Sequence, residues 1–231
     1  MALDQELIDY LYDSAETYRF LSHMLFKELT SEAIEAVSEI VFPEETNNSH
    51  LDEGYRLIRR YFHFSSHDRR TQLACDYARI FLAAGVYVKS DETAIPYESV
   101  FTSPERIMMQ DARDAVVRTF REDGFQVDPS LHEPEDHLAF ELEYLAVMCE
   151  RAAELAQAGK VGALVRNLTR QCAFLDAHIL NWVGALTEAV RRFAKLAFYP
   201  GMMLVVQGNA ECSRETLAAL IEEVQAMEEA A

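Results

Sequence analysis

No apolar run in this 231-residue chain approaches the ~18 residues needed to cross a bilayer, which excludes a membrane-spanning helix. The opening MALDQELIDY is acidic and lacks the basic-then-apolar order of a secretory signal. Cysteine is scarce: Cys75, Cys149, Cys172 and Cys212 are scattered and form no C-x-x-C pair. Four buried or half-buried thiols in a reducing compartment are expected, and hence a cytoplasmic protein. Only eight residues are glycine while half are hydrophobic, which fits a helix-rich globule and not a disordered or all-β chain. Excess basic charge is missing too. A net charge of −18 repels phosphate backbones, so nucleic acid is a poor partner and a cationic peptide a good one, although solubility alone also accounts for such a charge.

The familiar catalytic signatures are absent as well. There is no G-x-S-x-G elbow and no G-x-G-x-x-G, and Gly159-Lys160-Val161-Gly162 lacks the spacing that cradles phosphates. None of the seven histidines has a glutamate three residues before it, so the paired Glu-x-x-His of helical di-iron sites cannot form.

What is present is helical periodicity. Leu7, Leu11, Ala15, Tyr18, Leu21 and Leu25 mark a first helix. Ser31 is placed as the cap of a short second one, and EETNNSH (44–50) as a surface loop. A third helix follows from Leu51 to about Phe64. Ser66 or Asp68 starts a fourth, with Leu73, Tyr77, Ile80 and Phe81 on one face and Gly85 as its stop. Residues 85–103 break the rhythm around Pro96 and form the longest irregular segment, a hinge between helical blocks that would permit exchange of helices between protomers.

Ser103-Pro104-Glu105 predicts the start of a helix through Glu122, with Asp123-Gly124 as its end. Pro134 suits the first position of the next, with Glu135 and Asp136 in its electropositive first turn. That helix is apolar on two sides down to Gln157 and should be central. A long pattern from Val165 to Phe198 ends at Tyr199-Pro200-Gly201, and residues 211–228 close the chain. The expectation is an all-α single domain, 1–231, of roughly nine to ten helices.

The densest chemistry lies in HEPEDHLAFELEYLAVM, His132 to Met148. A metal-dependent helical-bundle enzyme built on His132, Asp136, His137 and Glu141 is one reading, although H-E-x-x-H fails because Asp136 stands where the second histidine belongs. A purely structural reading has Asp136 stabilising the helix start and His137 paired with Glu141. It leaves unexplained why polar groups sit on so apolar a helix, a setting that commonly orients or receives a ligand.

The same residues resemble a family. Glu133-Pro134-Glu135-Asp136-His137-Leu138, with Glu141-Leu142 and Tyr144-Leu145, is similar to the E-P-x-D-H signature of the TorD/DmsD/NarJ-type redox enzyme maturation chaperones. Asp76 to Leu82 resembles the helix before that family's variable loop. Pro96-Tyr97-Glu98-Ser99-Val100-Phe101 resembles its P-Y-x-S-V-Y segment, with Phe101 for the commoner tyrosine. Phe174, His178 and Trp182, then Phe198-Tyr199, resemble its F-x-x-x-H-x-x-x-W pattern and following aromatic pair. Four stretches in the right order cover residues 70–200.

The resemblance implies a cytoplasmic, non-enzymatic chaperone. It would bind the N-terminal twin-arginine leader of a molybdoenzyme catalytic subunit until the cofactor is inserted, either as a monomer or as a homodimer. It implies Asp136 and His137 as leader contacts, with Tyr97 and Ser99 nearby. Glu135 and Asp136 are expected to meet arginine forks, and Pro96 and Glu141 belong to the same expected site. Trp182 and Phe174 are expected in the core, with His178 satisfying a buried hydrogen bond. No metal and no cofactor are expected from the residues; guanine nucleotide or molybdenum cofactor enters by resemblance only.

Overall fold

The computed structural model describes residues 5–65, 68–84 and 93–229. Among them run ten α-helices: α1 (Gln5–Phe26), α2 (Ser31–Glu39), α3 (Ser49–Phe64), α4 (Arg69–Phe81), α5 (Glu98–Thr102), α6 (Asp111–Glu122), α7 (Leu138–Gln157), α8 (Val161–Phe174), α9 (Val183–Phe193) and α10 (Phe198–Glu229). A 3-10 turn spans Pro129–Leu131 and a π-helical turn Leu175–Ile179. No strand forms among the described residues, and the fold is all-α as expected. Ser66, Gly85 and the first part of the irregular segment, 85–92, lie outside the described residues.

The apolar stripes read from the sequence become one hydrophobic cluster. Helix α7 is its axis: Leu138, Leu142, Tyr144, Leu145, Ala146 and Ala152 are fully buried, and α1 lies along it. Ser22 on α1 donates to the Ala139 carbonyl of α7 (2.8 Å), a polar weld inside an apolar seam. At the end of α1, the Tyr77 hydroxyl donates to the Phe26 carbonyl (2.8 Å), satisfying a terminal helix acceptor and fixing α4 against α1.

Several boundaries differ from expectation, each for a local reason. Thr30, not Ser31, caps α2, its hydroxyl accepting from Ala33 N–H. Asn48 caps α3 by accepting from His50 and Leu51, which draws the expected loop's last two residues into the helix. Asp68 caps α4 in the left-handed region, and that helix ends at Phe81, ahead of Gly85. Ser103-Pro104-Glu105 makes a turn and opens no helix. Arg106 and Met109 take positive φ angles that a continuous helix forbids, and α6 begins only at Asp111.

The long pattern from Val165 is interrupted by the π-turn, where the Trp182 indole N–H donates to the His178 carbonyl (2.6 Å). Tyr199-Pro200-Gly201 opens α10 and does not end its predecessor, because proline is tolerated in a first turn whose N–H groups have no helical partner. Cys149 and Cys172 are buried as expected, but Cys75 is exposed.

Helices α3 and α10 approach backbone to backbone at Gly54 and Gly201. A Cβ on Gly54 would stand 2.8 Å from the Gly201 carbonyl oxygen, and one on Gly201 would stand 2.9 Å from that of Gly54. Gly184 on α9 has only the Gln207 side chain near, at 3.8 Å. Gly54→Ala and Gly201→Ala should each destabilise the protein by about 1–3 kcal/mol. Gly184→Ala should be neutral or stabilising by up to about 1 kcal/mol. Urea unfolding monitored by circular dichroism distinguishes the two classes.

Candidate functional site

Two short non-helical segments meet at the heart of the candidate site. Glu98 N–H donates to the Asp136 carbonyl (2.9 Å) and Leu138 N–H to the Pro96 carbonyl (2.9 Å), giving an antiparallel bridge between Tyr97 and His137. This pairing explains why α7 begins at Leu138 and not at Pro134. The backbone of 136–138 is committed across the gap, so Glu135 and Asp136 precede the helix. His137 is its cap, Nδ1 accepting from Ala139 N–H (3.1 Å).

Asp136 is fully buried. Its Oδ2 accepts from Ser99 N–H (2.9 Å) at the start of α5, and Ser99 Oγ accepts from Gln110 N–H (3.1 Å) at the start of α6. One carboxyl thus orders the loop, α5 and the entry to α6. Glu98, also buried, reaches the other way: Oε2 lies 2.9 Å from His178 Nδ1, and Oε1 accepts from Asn181 (3.0 Å). His178 fills the hydrogen-bonding role expected of it, and Trp182 and Phe174 are core side chains.

Glu141 stands beside these groups with 0% exposure, and neither of its oxygens has a donor. Burial above all, then the charges of Glu98 and Asp136, holds its pKa well above the ordinary glutamate range. Burial therefore favours the neutral, protonated form of this carboxyl. Burial raises the Asp136 carboxyl as well, against the lowering effect of its Ser99 bonds. Burial pushes His137 down to about 3, so its imidazole is neutral, with the proton on Nε2.

The accessible part of the site is a cavity of about 420 Å³ lined by Phe26, Lys27, Glu28, Tyr77, Phe81, Leu82, Pro96, Tyr97, Glu133 and His137. Its walls are aromatic: His137 meets Phe26 and Tyr97 edge-on at ring-centroid distances of 5.7 and 5.0 Å. Glu28, Glu133 and Lys27 are exposed at its edge, and Leu82 presents 60% of its surface there. The Tyr97 hydroxyl donates to Glu133, which also borders a second hollow lined by Phe120, Phe125, Asp128 and Glu135.

The seven expected residues therefore fall into three groups. Pro96, Tyr97 and His137 line the cavity. Asp136, Ser99 and Glu141 lie behind its wall, where no arginine fork reaches them. Glu135 is half-exposed and already paired with Arg113 (2.7 Å). Missing from the expectation are Phe26, Glu28, Phe81 and Leu82, which come from the ends of α1 and α4. For Phe81 and Leu82 the signal was the similarity over 76–82, read as a helix and not as a wall; Phe26 and Glu28 carried none. The metal reading finds no support: His132 is exposed, and among the described residues no three His, Cys, Asp or Glu side chains gather as ligands.

Two outcomes follow for the buried carboxyls. A pKa raised in the folded state contributes stability at low pH that is lost as pH rises above the unfolded value. Glu141→Gln should therefore gain on the native protein with rising pH from about 5 toward 8, by at most about 1.4 kcal/mol per pH unit. A stability difference constant across that range would contradict the assignment. Asp136→Ala leaves a buried Ser99 N–H without an acceptor and should cost about 1–3 kcal/mol in denaturant unfolding at neutral pH.

Comparison with known proteins agrees with the site's sequence signature. The family model described as nitrate reductase delta subunit matches residues 46–188, more than half of the chain. The chain is 28% identical over 218 residues to chaperone protein TorD of Vibrio cholerae serotype O1 (strain Classical Ogawa 395), covering 90% of this chain and 94% of that one. It is 28% identical over 197 residues to chaperone protein TorD of the El Tor Inaba N16961 strain, covering 80% and 83%. To chaperone protein TorD of Vibrio parahaemolyticus serotype O3:K6 it is 25% identical over 203 residues, covering 84% and 90%. By the family match and these full-length similarities, the chain belongs to the nitrate reductase delta subunit family, the TorD/DmsD/NarJ-type chaperones.

Proposed function

We propose that the protein is a dedicated cytoplasmic chaperone of a molybdenum-containing oxidoreductase that holds the enzyme's N-terminal twin-arginine leader before export. The observation that carries this reading is the apolar cavity with Glu28 and Glu133 at its exposed edge. A twin-arginine leader has a cationic head followed by an apolar middle, and the cavity offers an aromatic interior with a rim on which two carboxylates outnumber the single cation, Lys27.

Magnitudes assign the roles. Exposed ion pairs contribute about 0–1 kcal/mol each, so the rim steers and orients. Each large apolar side chain fully buried contributes roughly 1.5–3 kcal/mol, so the leader's apolar segment supplies most of the affinity. Tyr97 and His137 form the wall that meets it. Asp136, Ser99 and Glu141 act at one remove, by holding that wall in place. A neutral His137 adds no positive charge to a site meant for arginines.

Fluorescence anisotropy with a labelled leader peptide tests the reading. Leu82 is exposed, so Leu82→Asp spares the core, yet it should weaken binding at least about tenfold by placing a charge where apolar side chains enter. The double variant Glu28→Gln with Glu133→Gln should weaken it a few-fold, with the deficit shrinking as salt is added. Unaltered affinity in both variants would remove the leader from this cavity.

A further inference from the structure

A third hollow, which shares no lining with the two already described, lies where α3 ends, α4 begins and α9 passes into α10. It encloses about 630 Å³ and is lined by Arg60, Tyr61, Phe64, Ser65, Gln72, Lys195, Leu196 and Ala197. It shares no lining residue with the leader cavity; along α4, Gln72 and Phe81 stand about 13 Å apart.

The charge here runs against that of the whole molecule. The chain has 39 acidic and 21 basic residues, and seven of its seventeen arginines pair with a carboxylate: Arg19, Arg56, Arg79, Arg113, Arg170, Arg191 and Arg214. On the rim of this hollow Arg60 and Lys195 are both exposed, and neither has a carboxylate partner among the described residues. Beside them Phe64 leaves 75% of its surface in water.

The backbone beneath is fixed. Asp76 accepts from Lys195 N–H (2.9 Å) and Leu196 N–H (3.1 Å), pinning the segment that carries the lysine. Arg69 donates to the Ser65 and Phe62 carbonyls, closing the end of α3, so this arginine is engaged by the fold and not offered outward. Ala197 immediately precedes α10, whose N-terminal end adds partial positive charge.

We infer that this hollow docks a short acidic segment of a partner protein, with carboxylates on Arg60 and Lys195 and an apolar or aromatic side chain against Phe64 and Leu196. Local cations with an exposed ring select an anion that also carries apolar surface. The size of the net charge selects its extent. Opposite charges within a Debye length, about 8 Å at physiological salt, feel the rim, whereas a long polyanion also meets the repulsion of a chain whose net charge is −18. A peptide with a few carboxylates escapes most of that repulsion; a nucleic acid does not. The inference stands apart from the leader reading, because a leader is cationic and this rim would repel it.

The test uses the full chain and, as probe, a short synthetic peptide alternating glutamate and phenylalanine, titrated by calorimetry. Binding to the native protein is expected, weakening at least about tenfold in the double variant Arg60→Glu with Lys195→Glu and falling as salt is raised. Both positions are exposed, and an unchanged thermal melt establishes that the variant is folded. Phe64→Ser, which alters the surface without touching charge, is expected to weaken binding independently. No binding to the native protein, equal binding to the charge-reversed variant, equal binding of a peptide with glutamine for glutamate, or preferential binding of a DNA duplex would each overturn the inference.

Discussion

Two backbone hydrogen bonds, from Glu98 N–H to the Asp136 carbonyl and from Leu138 N–H to the Pro96 carbonyl, decide what the rest of the molecule can do. They join two segments that proline keeps out of helix. Because 96–98 is tied to 136–138, Tyr97 and His137 stand side by side as one wall of the cavity, and α1 and α4 supply the opposite wall. Without the pairing, the bundle would still bury its stripes, but nothing would shape an apolar opening at this end.

The acidic character of the chain is divided between inside and outside, and the two parts act differently. Glu98, Asp136 and Glu141 are buried, and among the described residues none of them forms an ion pair with a lysine or arginine; Arg113, a cation that interacts electrostatically with Asp136, is paired with Glu135. Such a cluster is tolerable only when its members accept from backbone N–H groups, bond an imidazole, or keep a proton, and one example of each is found here. Its physical effect is positional, since each accepted bond ends on a different element. The outer carboxylates, Glu28 and Glu133, retain their water and remain able to meet a cation. This separation explains how one acidic signature supplies both scaffold and rim.

Much of the architecture was legible from period alone. Stripes such as Leu138, Leu142 and Leu145 require a helix buried on two sides, and α7 is buried accordingly. Capping and proline rules succeeded where side chains act locally, as at Asp68 and Asp123-Gly124. They failed at Ser103-Pro104-Glu105 and at Pro134 because a distant partner outcompetes the local cap: Ser99 claims Gln110, and residues 96–98 claim 136–138. The site was legible as a neighbourhood but not as a surface. Sequence spacing brought Asp136 and His137 together, but it carried no information on which of them faces solvent. It also could not show that Phe26, at the far end of α1, completes the wall.

The central claim, that an apolar leader segment lies between Tyr97 and His137 on one side and Phe26, Phe81 and Leu82 on the other, is tested most directly by photo-cross-linking. A leader peptide bearing a benzophenone side chain in its apolar middle would be irradiated with the native protein, and the modified residues located by mass spectrometry. Adducts concentrated on the α1 and α4 ends and on residues 96–97 are the predicted result. Adducts on the Arg60–Lys195 face, or spread over the surface without preference, would contradict it.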